Sequence, residues 1–232
     1  MTTIGFIGSG NIGSTLARLG VDAGHDVVLS NSRGPETLQS TVERLGPRAR
    51  AATPSEAATA GDIVVVSIPI RAYRQVPAQP LQGRIVIDTL NYDPARQGSV
   101  PEIDAGDTPA HLLLQTHLTG SSVVKAFSNI FFKHLATLGR PAGAPDRSTL
   151  PMAGDDAAAK QAVATLIDSL GYDTYDVGPL AESRRFAPGT PAQHAYLDPA
   201  GMFAAPGRPA SADDLAKLLT ARAASPEGTA NR

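Results

Sequence analysis

The chain has 232 residues, 42% of them apolar, and a formal net charge of −2. That suits one large α/β domain with a packed core, and gives no global attraction to nucleic acid or an anionic membrane. Cysteine is absent, which excludes disulfides, thiolate chemistry and Cys-ligated metal.

"TIGFIG" (3–8) reads as a first strand, and residues 11–23 as a helix with Ile12, Leu16, Leu19 and Ala23 at helical spacing. "DVVLS" (26–30) is a second strand, followed by a helix over 36–45 that Pro35 helps to start. "ARAA" (49–52) is a short third strand and "TPSEAATAG" (53–61) a short capped helix. "DIVVVSIP" (62–69) is a fourth strand, apolar without alternation, as expected of a strand covered on both faces.

"GRIVIDTLN" (83–91) and "SSVVKAFSNI" (121–130) are the fifth and sixth strands, and a Pro/Gly-rich loop (139–147) follows. "LPMAGDD" (150–156) is a seventh strand, 156–170 a helix, and "YDTYDVGPL" (172–180) an eighth strand. Residues 186–210 are Pro-rich and read as an irregular arm, 211–224 as a helix capped by Ser211, and "SPEGTANR" as a disordered end. The expected fold is a doubly wound Rossmann α/β sheet, mostly parallel and eight-stranded. Residues 1–185 are read as the nucleotide-binding domain with its substrate cleft, and 186–232 as a small extension. No apolar run approaches the ~20 residues that span a bilayer, and no signal-like segment opens the chain; a cytoplasmic protein is expected.

Gly8-Ser9-Gly10-Asn11-Ile12-Gly13 matches G-x-G-x-x-G in the context that gives the pattern meaning, after a strand and opening a helix. Gly8 permits the tight turn, Gly10 lets the backbone approach a pyrophosphate, and Gly13 lets the helix pack on the strand. The helix N-terminus offers free N–H groups to the phosphates. Roughly 20 residues past this pattern, an NAD site carries an acid for the adenosine ribose. Here the second strand runs instead into Ser30, Asn31, Ser32 and Arg33. A cation and small polar groups suit the 2′-phosphate of NADP.

Parallel sheets bind ligands beyond the carboxyl ends of their strands. Ile68 and Pro69 are therefore placed beside the dinucleotide, Asn91 and Ala126 near the nicotinamide, and Asn129 near the substrate. Gly178-Pro179-Leu180 is read as a corner that closes the pocket. No catalytic side chain stands out; His117, His134, Tyr73 and Tyr92 are scattered, and no metal-ligand spacing occurs. Hydride transfer between two redox cofactors needs positioning more than a placed proton donor.

"IGFIGSGNIGSTLARLGVDAGHDVVLSNSRGPE", "DIVVVSIP", "VVKAFSNI" and "AGDDAAAKQAVATLIDSLGYDTYDVGPLAESRRF" together resemble the NADPH-dependent reductases of the deazaflavin coenzyme, the coenzyme F-420:NADP oxidoreductases. The resemblance runs from residue 1 to about residue 186. It implies NADP held by Ser9–Ile12 and Asn31–Arg33, Pro69 after the fourth strand, and a deazaflavin near the ends of strands five, six and eight. It also implies a homodimer. Arg71, Arg74, Lys125, Lys133, Arg184 and Arg185 are candidate cations for that acidic coenzyme. Two alternatives stay open. One is a reductase of a small carbonyl or imine, with Tyr92 or His117 as proton donor. The other is a non-catalytic NADP sensor.

Overall fold

The computed structural model describes residues 1–199, 201–203 and 206–221. The expected disordered end and the last turn of the expected C-terminal helix, 222–232, lie outside the described residues.

Eight strands form one sheet: β1 (Thr3–Ile7), β2 (Asp26–Ser30), β3 (Ala49–Ala51), β4 (Ile63–Val66), β5 (Ile85–Asp88), β6 (Ser122–Ala126), β7 (Thr149–Gly154) and β8 (Asp173–Asp176). Their order is β3-β2-β1-β4-β5-β6-β7-β8. The helices that cover it include α1 (Asn11–Asp22), α2 (Gln39–Leu45) and α3 (Pro54–Ala60). The sheet is covered on both faces. Along β4, Ile63 and Val65 enter one apolar cluster while Val64 and Val66 enter the other; along β5, Ile87 and Val86 divide the same way. Unbroken aliphatic runs are what such burial requires.

Local signals set the helix ends. Thr53 and Glu56 make a reciprocal capping box at α3, which satisfies two of the otherwise unpaired first-turn N–H groups. Between β5 and β6, residues 94–117 hold only short helices: α4 (Pro94–Gln97), α5 (Pro101–Asp104), the 3-10 turn Ala110–Leu112 and α6 (Leu113–His117).

The sheet is mostly parallel and eight-stranded, as expected, with one pairing reversed. β1 to β6 are parallel, but β7 pairs antiparallel with β6, with Val124 opposite Gly154 and Ala126 opposite Met152. β8 then runs parallel to β7. β8 therefore runs toward the end of the sheet where β6 begins, with Asp176 still level with Ala126 and the chain passing on through Gly178. The connection from β6 to β7 contains only α7 (Phe132–Leu135) as α-helix, too little for the helical crossover a parallel partner needs.

The C-terminal arm joins the core of the domain before it. Phe186, Ala192, Ala195 and Tyr196 are buried in the same apolar cluster as β1 and β6, and the Tyr196 hydroxyl donates to the Thr149 carbonyl at 2.6 Å. These side chains are covered within the chain; Met202 and Phe203 remain exposed. Helix α8 (Ala157–Ser169) follows β7, and α9 (Ala212–Thr220), capped by Ser211, packs against β7 and β8.

Candidate functional site

A cleft of about 460 Å³ opens at the carboxyl ends of β1, β2 and β4. Gly8, Ser9, Gly10, Asn31, Ser32, Arg33, Ile68 and Pro69 line it, all of them expected from the sequence. Ser67, at the end of the expected fourth strand, lines it as well, and so do Pro54, Ala72 and Gln75, which the strand ends did not point to. Pro54 had a signal, since it opens the capped helix directly after β3.

The loop geometry explains the glycines. Gly8 has φ +109°, and a Cβ there would stand 2.1 Å from the Ser67 carbonyl oxygen. A Cβ on Gly13 would stand 2.3 Å from the Gly8 oxygen. A Cβ on Gly10 would meet nothing within 4 Å; it would point into open space. So Gly8 and Gly13 serve the fold, and Gly10 keeps room for a ligand. Gly10 caps α1 without any side-chain bond to the helix start, and no acid lies in the first turn. Asn11 and Ile12 thus open a helix whose first N–H groups are left for an anion.

The segment after β2 is built by its own polar groups. The Ser30 hydroxyl is buried and donates to the Phe6 carbonyl at 2.6 Å. The Asn31 side-chain oxygen accepts from the Arg33 N–H at 2.9 Å, and its amide donates to the Thr37 hydroxyl at 2.9 Å. Asn31 therefore shapes the loop with the side chain expected to bind ligand. Arg33 is exposed on the cleft wall, and its guanidinium makes no hydrogen bond or ion pair among the described residues. Glu36, the next acid along the chain, folds against Gly34.

A second cleft of about 220 Å³ lies at the carboxyl ends of β5 and β6, the side of a parallel sheet on which ligands bind. Leu90, Asn91, Tyr92, Ala110, His111, Lys125, Ala187 and Pro188 line it. Lys125 and Asp88 are register partners on β6 and β5, both almost fully buried, with Nζ 3.1 Å from Oδ1. The ammonium also donates to the Leu90 carbonyl, and the Leu90 N–H donates to the same Asp88 oxygen at 2.7 Å. One buried ion pair thus fixes the backbone at the end of β5. Phe127, directly after β6, holds φ +60°, a conformation that costs a non-glycine residue about 1–2 kcal/mol. Beyond it the Ser128 carbonyl accepts from the Asn91 side chain at 2.5 Å.

Several expected site residues lie elsewhere. Ala126 is fully buried, with its side chain in the core cluster. Asn129 is buried and donates to the Ala192 carbonyl at 3.1 Å, so it anchors the C-terminal arm. Gly178, Pro179 and Leu180 sit at the opposite edge of the sheet, because β7 and β8 run against β6. There the Gly178 carbonyl accepts from Gly154 and the Leu180 N–H donates to Asp155. From that corner the 3-10 segment Leu180–Phe186 returns across the sheet, and Ala187 and Pro188 arrive in the second cleft. His117 is held by the Val76 carbonyl at 2.8 Å. His111, unremarked in the sequence because no periodic pattern surrounds it, is the histidine in the cleft. No metal-ligating cluster is present among the described residues, and none of their helices is long and apolar enough to cross a membrane.

Residues 3–92 match the family described as NADP oxidoreductase, coenzyme F420-dependent. A hypothetical protein from Sinorhizobium meliloti has a similar crystal structure, with 32% identity and a TM-score of 0.68 over 79% of this chain and 88% of that one. A protein from Arthrobacter sp. FB24, proposed to be an F420-dependent NADP reductase, has 25% identity and a TM-score of 0.67 over the same shares. An imine reductase from Myxococcus stipitatus shares the fold at 18% identity and a TM-score of 0.53, over 78% of this chain and 56% of that one. No curated protein matches. Fold, glycine loop and kinship agree on an NAD(P)-dependent oxidoreductase. The chain belongs to the family of NADP oxidoreductases described as coenzyme F420-dependent.

Proposed function

We propose that this protein uses NADPH rather than NADH and moves hydride between it and a deazaflavin coenzyme. The observation that carries the first half is Arg33, unpaired on the wall of the first cleft with Ser32 beside it. A 2′-phosphate there would take charge-assisted bonds from the guanidinium, and no carboxylate from the end of β2 opposes it. Arg33→Ala is expected to weaken NADPH binding by about 10- to 100-fold, the worth of one such contact. NADH binding should change by less than about twofold, since the contact is absent from that complex. Calorimetric titration with both dinucleotides decides it: equal losses would remove the phosphate from Arg33.

Kinship supports the second half. The second cleft, about 220 Å³, is smaller than the roughly 300–1,000 Å³ of a pocket that swallows a drug-sized ligand. It suits the reacting edge of a flat ring whose remainder lies outside. Mixing the protein with NADPH and oxidised coenzyme F-420 should bleach the deazaflavin absorbance. The same small cleft favours a second reading, reduction of a small carbonyl or imine, and no bleaching at saturating concentrations would select it.

A further inference from the structure

Reduction of either acceptor moves a proton as well as a hydride, and the second cleft holds one side chain placed to handle it. We propose that His111 carries that proton, and that Lys125 is the positioning residue that fixes a positive charge where the acceptor's polar atom sits. The inference rests on the hydride-transfer reading but not on the identity of the acceptor.

Geometry singles out His111 among the candidates. It lines the cleft with Lys125 and Asn91, and it is half-buried. No hydrogen bond among the described residues holds its ring, which leaves both nitrogens for a ligand or water. The other candidates are engaged. Tyr92 donates to Asp104, Tyr73 to Glu102, and His117 meets the Val76 carbonyl. Asp88 is closed off by Lys125 and the Leu90 N–H. Lys125 keeps its ammonium at the base of the cleft, beneath the end of β6.

The C4–H bond of NADPH breaks, and hydrogen leaves with its electron pair for the electrophilic carbon of the acceptor. The π pair of that carbon's C=N or C=O system moves onto the polar atom, which takes a proton from the His111 imidazolium. NADPH is oxidised by two electrons, the acceptor is reduced by two, and water reprotonates the imidazole. In the reverse direction neutral His111 removes the proton as hydride moves to NADP⁺.

The surroundings set the pH dependence. Burial holds the His111 pKa below its ordinary value, the charges of Lys125 and Arg184 lower it further, and Asp88 and Glu182 oppose them. Acceptor reduction needs the imidazolium. Its rate should therefore fall as pH rises through a value below 6.5, while the reverse reaction should gain over the same interval.

The test combines titration with turnover, on the full chain. The imidazole resonance of His111, assigned by its loss in His111→Gln, is titrated with NADPH and then with NADP⁺ bound. The oxidised ring is positively charged, so the pKa should be lower in the NADP⁺ complex. Turnover is measured with coenzyme F-420 and with a five-membered cyclic imine. For an acceptor that is consumed, His111→Gln should lower the rate by about 10²- to 10⁴-fold and lose the pH-dependent limb, with NADPH affinity unchanged. Identical pKa values in the two complexes would overturn the proposal, as would a variant that keeps both rate and pH profile. Consumption of the imine alone, with the titration as expected, would uphold His111 and reject the deazaflavin.

Discussion

Gly10→Ala will fold with a melting temperature within about 2 °C of the parent, yet bind NADPH on the order of 10- to 100-fold more weakly. Its φ of −71° is one that alanine adopts freely, and the added methyl meets no atom of the described residues within 4 Å beyond its chain neighbours. The methyl enters instead the space above the start of α1, where a pyrophosphate must come close to the backbone. Gly13→Ala supplies the contrast. Its Cβ would press on the Gly8 carbonyl at 2.3 Å, and both partners are backbone, so α1 must move away from the loop. That variant should lose stability by about 1–3 kcal/mol and lose binding with it. Thermal melts and equilibrium titration of both proteins separate the two roles. Equal destabilisation of the two variants would mean that Gly10, too, serves the fold.

Asp88→Ala should be the most destabilising single change in the site, by about 3–5 kcal/mol, because it leaves the Lys125 ammonium buried without its counter-charge. Replacing both residues, Asp88→Leu with Lys125→Met, should recover most of that loss, since the desolvation cost of both ions disappears. The double variant should nevertheless turn over poorly, because the cleft has lost its cation. Denaturant unfolding of the single and double variants, with m-values compared, checks the first statement. Single and double variants of equal stability would show that burying the Lys125 ammonium without its counter-charge adds no cost of its own.

The sheet and the lining of the first cleft were legible because local chemistry determines them. β1, β2, β4, β5 and β6 are aliphatic runs, the glycine pattern sits between a strand and a helix, and Arg33 follows β2 directly. The second cleft was less legible for three physical reasons. No residue of β7 announces that it runs antiparallel, so Gly178-Pro179-Leu180 was assigned to the wrong sheet edge. The inward turn of Asn129 follows a left-handed Phe127, a conformation aromatic residues rarely adopt and sequence does not advertise. His111 reaches the cleft from a string of short helices with no hydrophobic period to register it.

The returning segment has a consequence for how the two half-sites can change. Residues 180–188 form a tether fixed at one sheet edge by Asp155 and carrying Ala187 and Pro188 to the other. Its reach is set by its number of residues. One residue inserted or removed would reposition the wall of the second cleft and leave the glycine loop and Arg33 untouched. The wall of the second cleft can thus drift through the length of a surface strap, while the glycine loop and Arg33 of the first cleft stay where β1 and β2 set them.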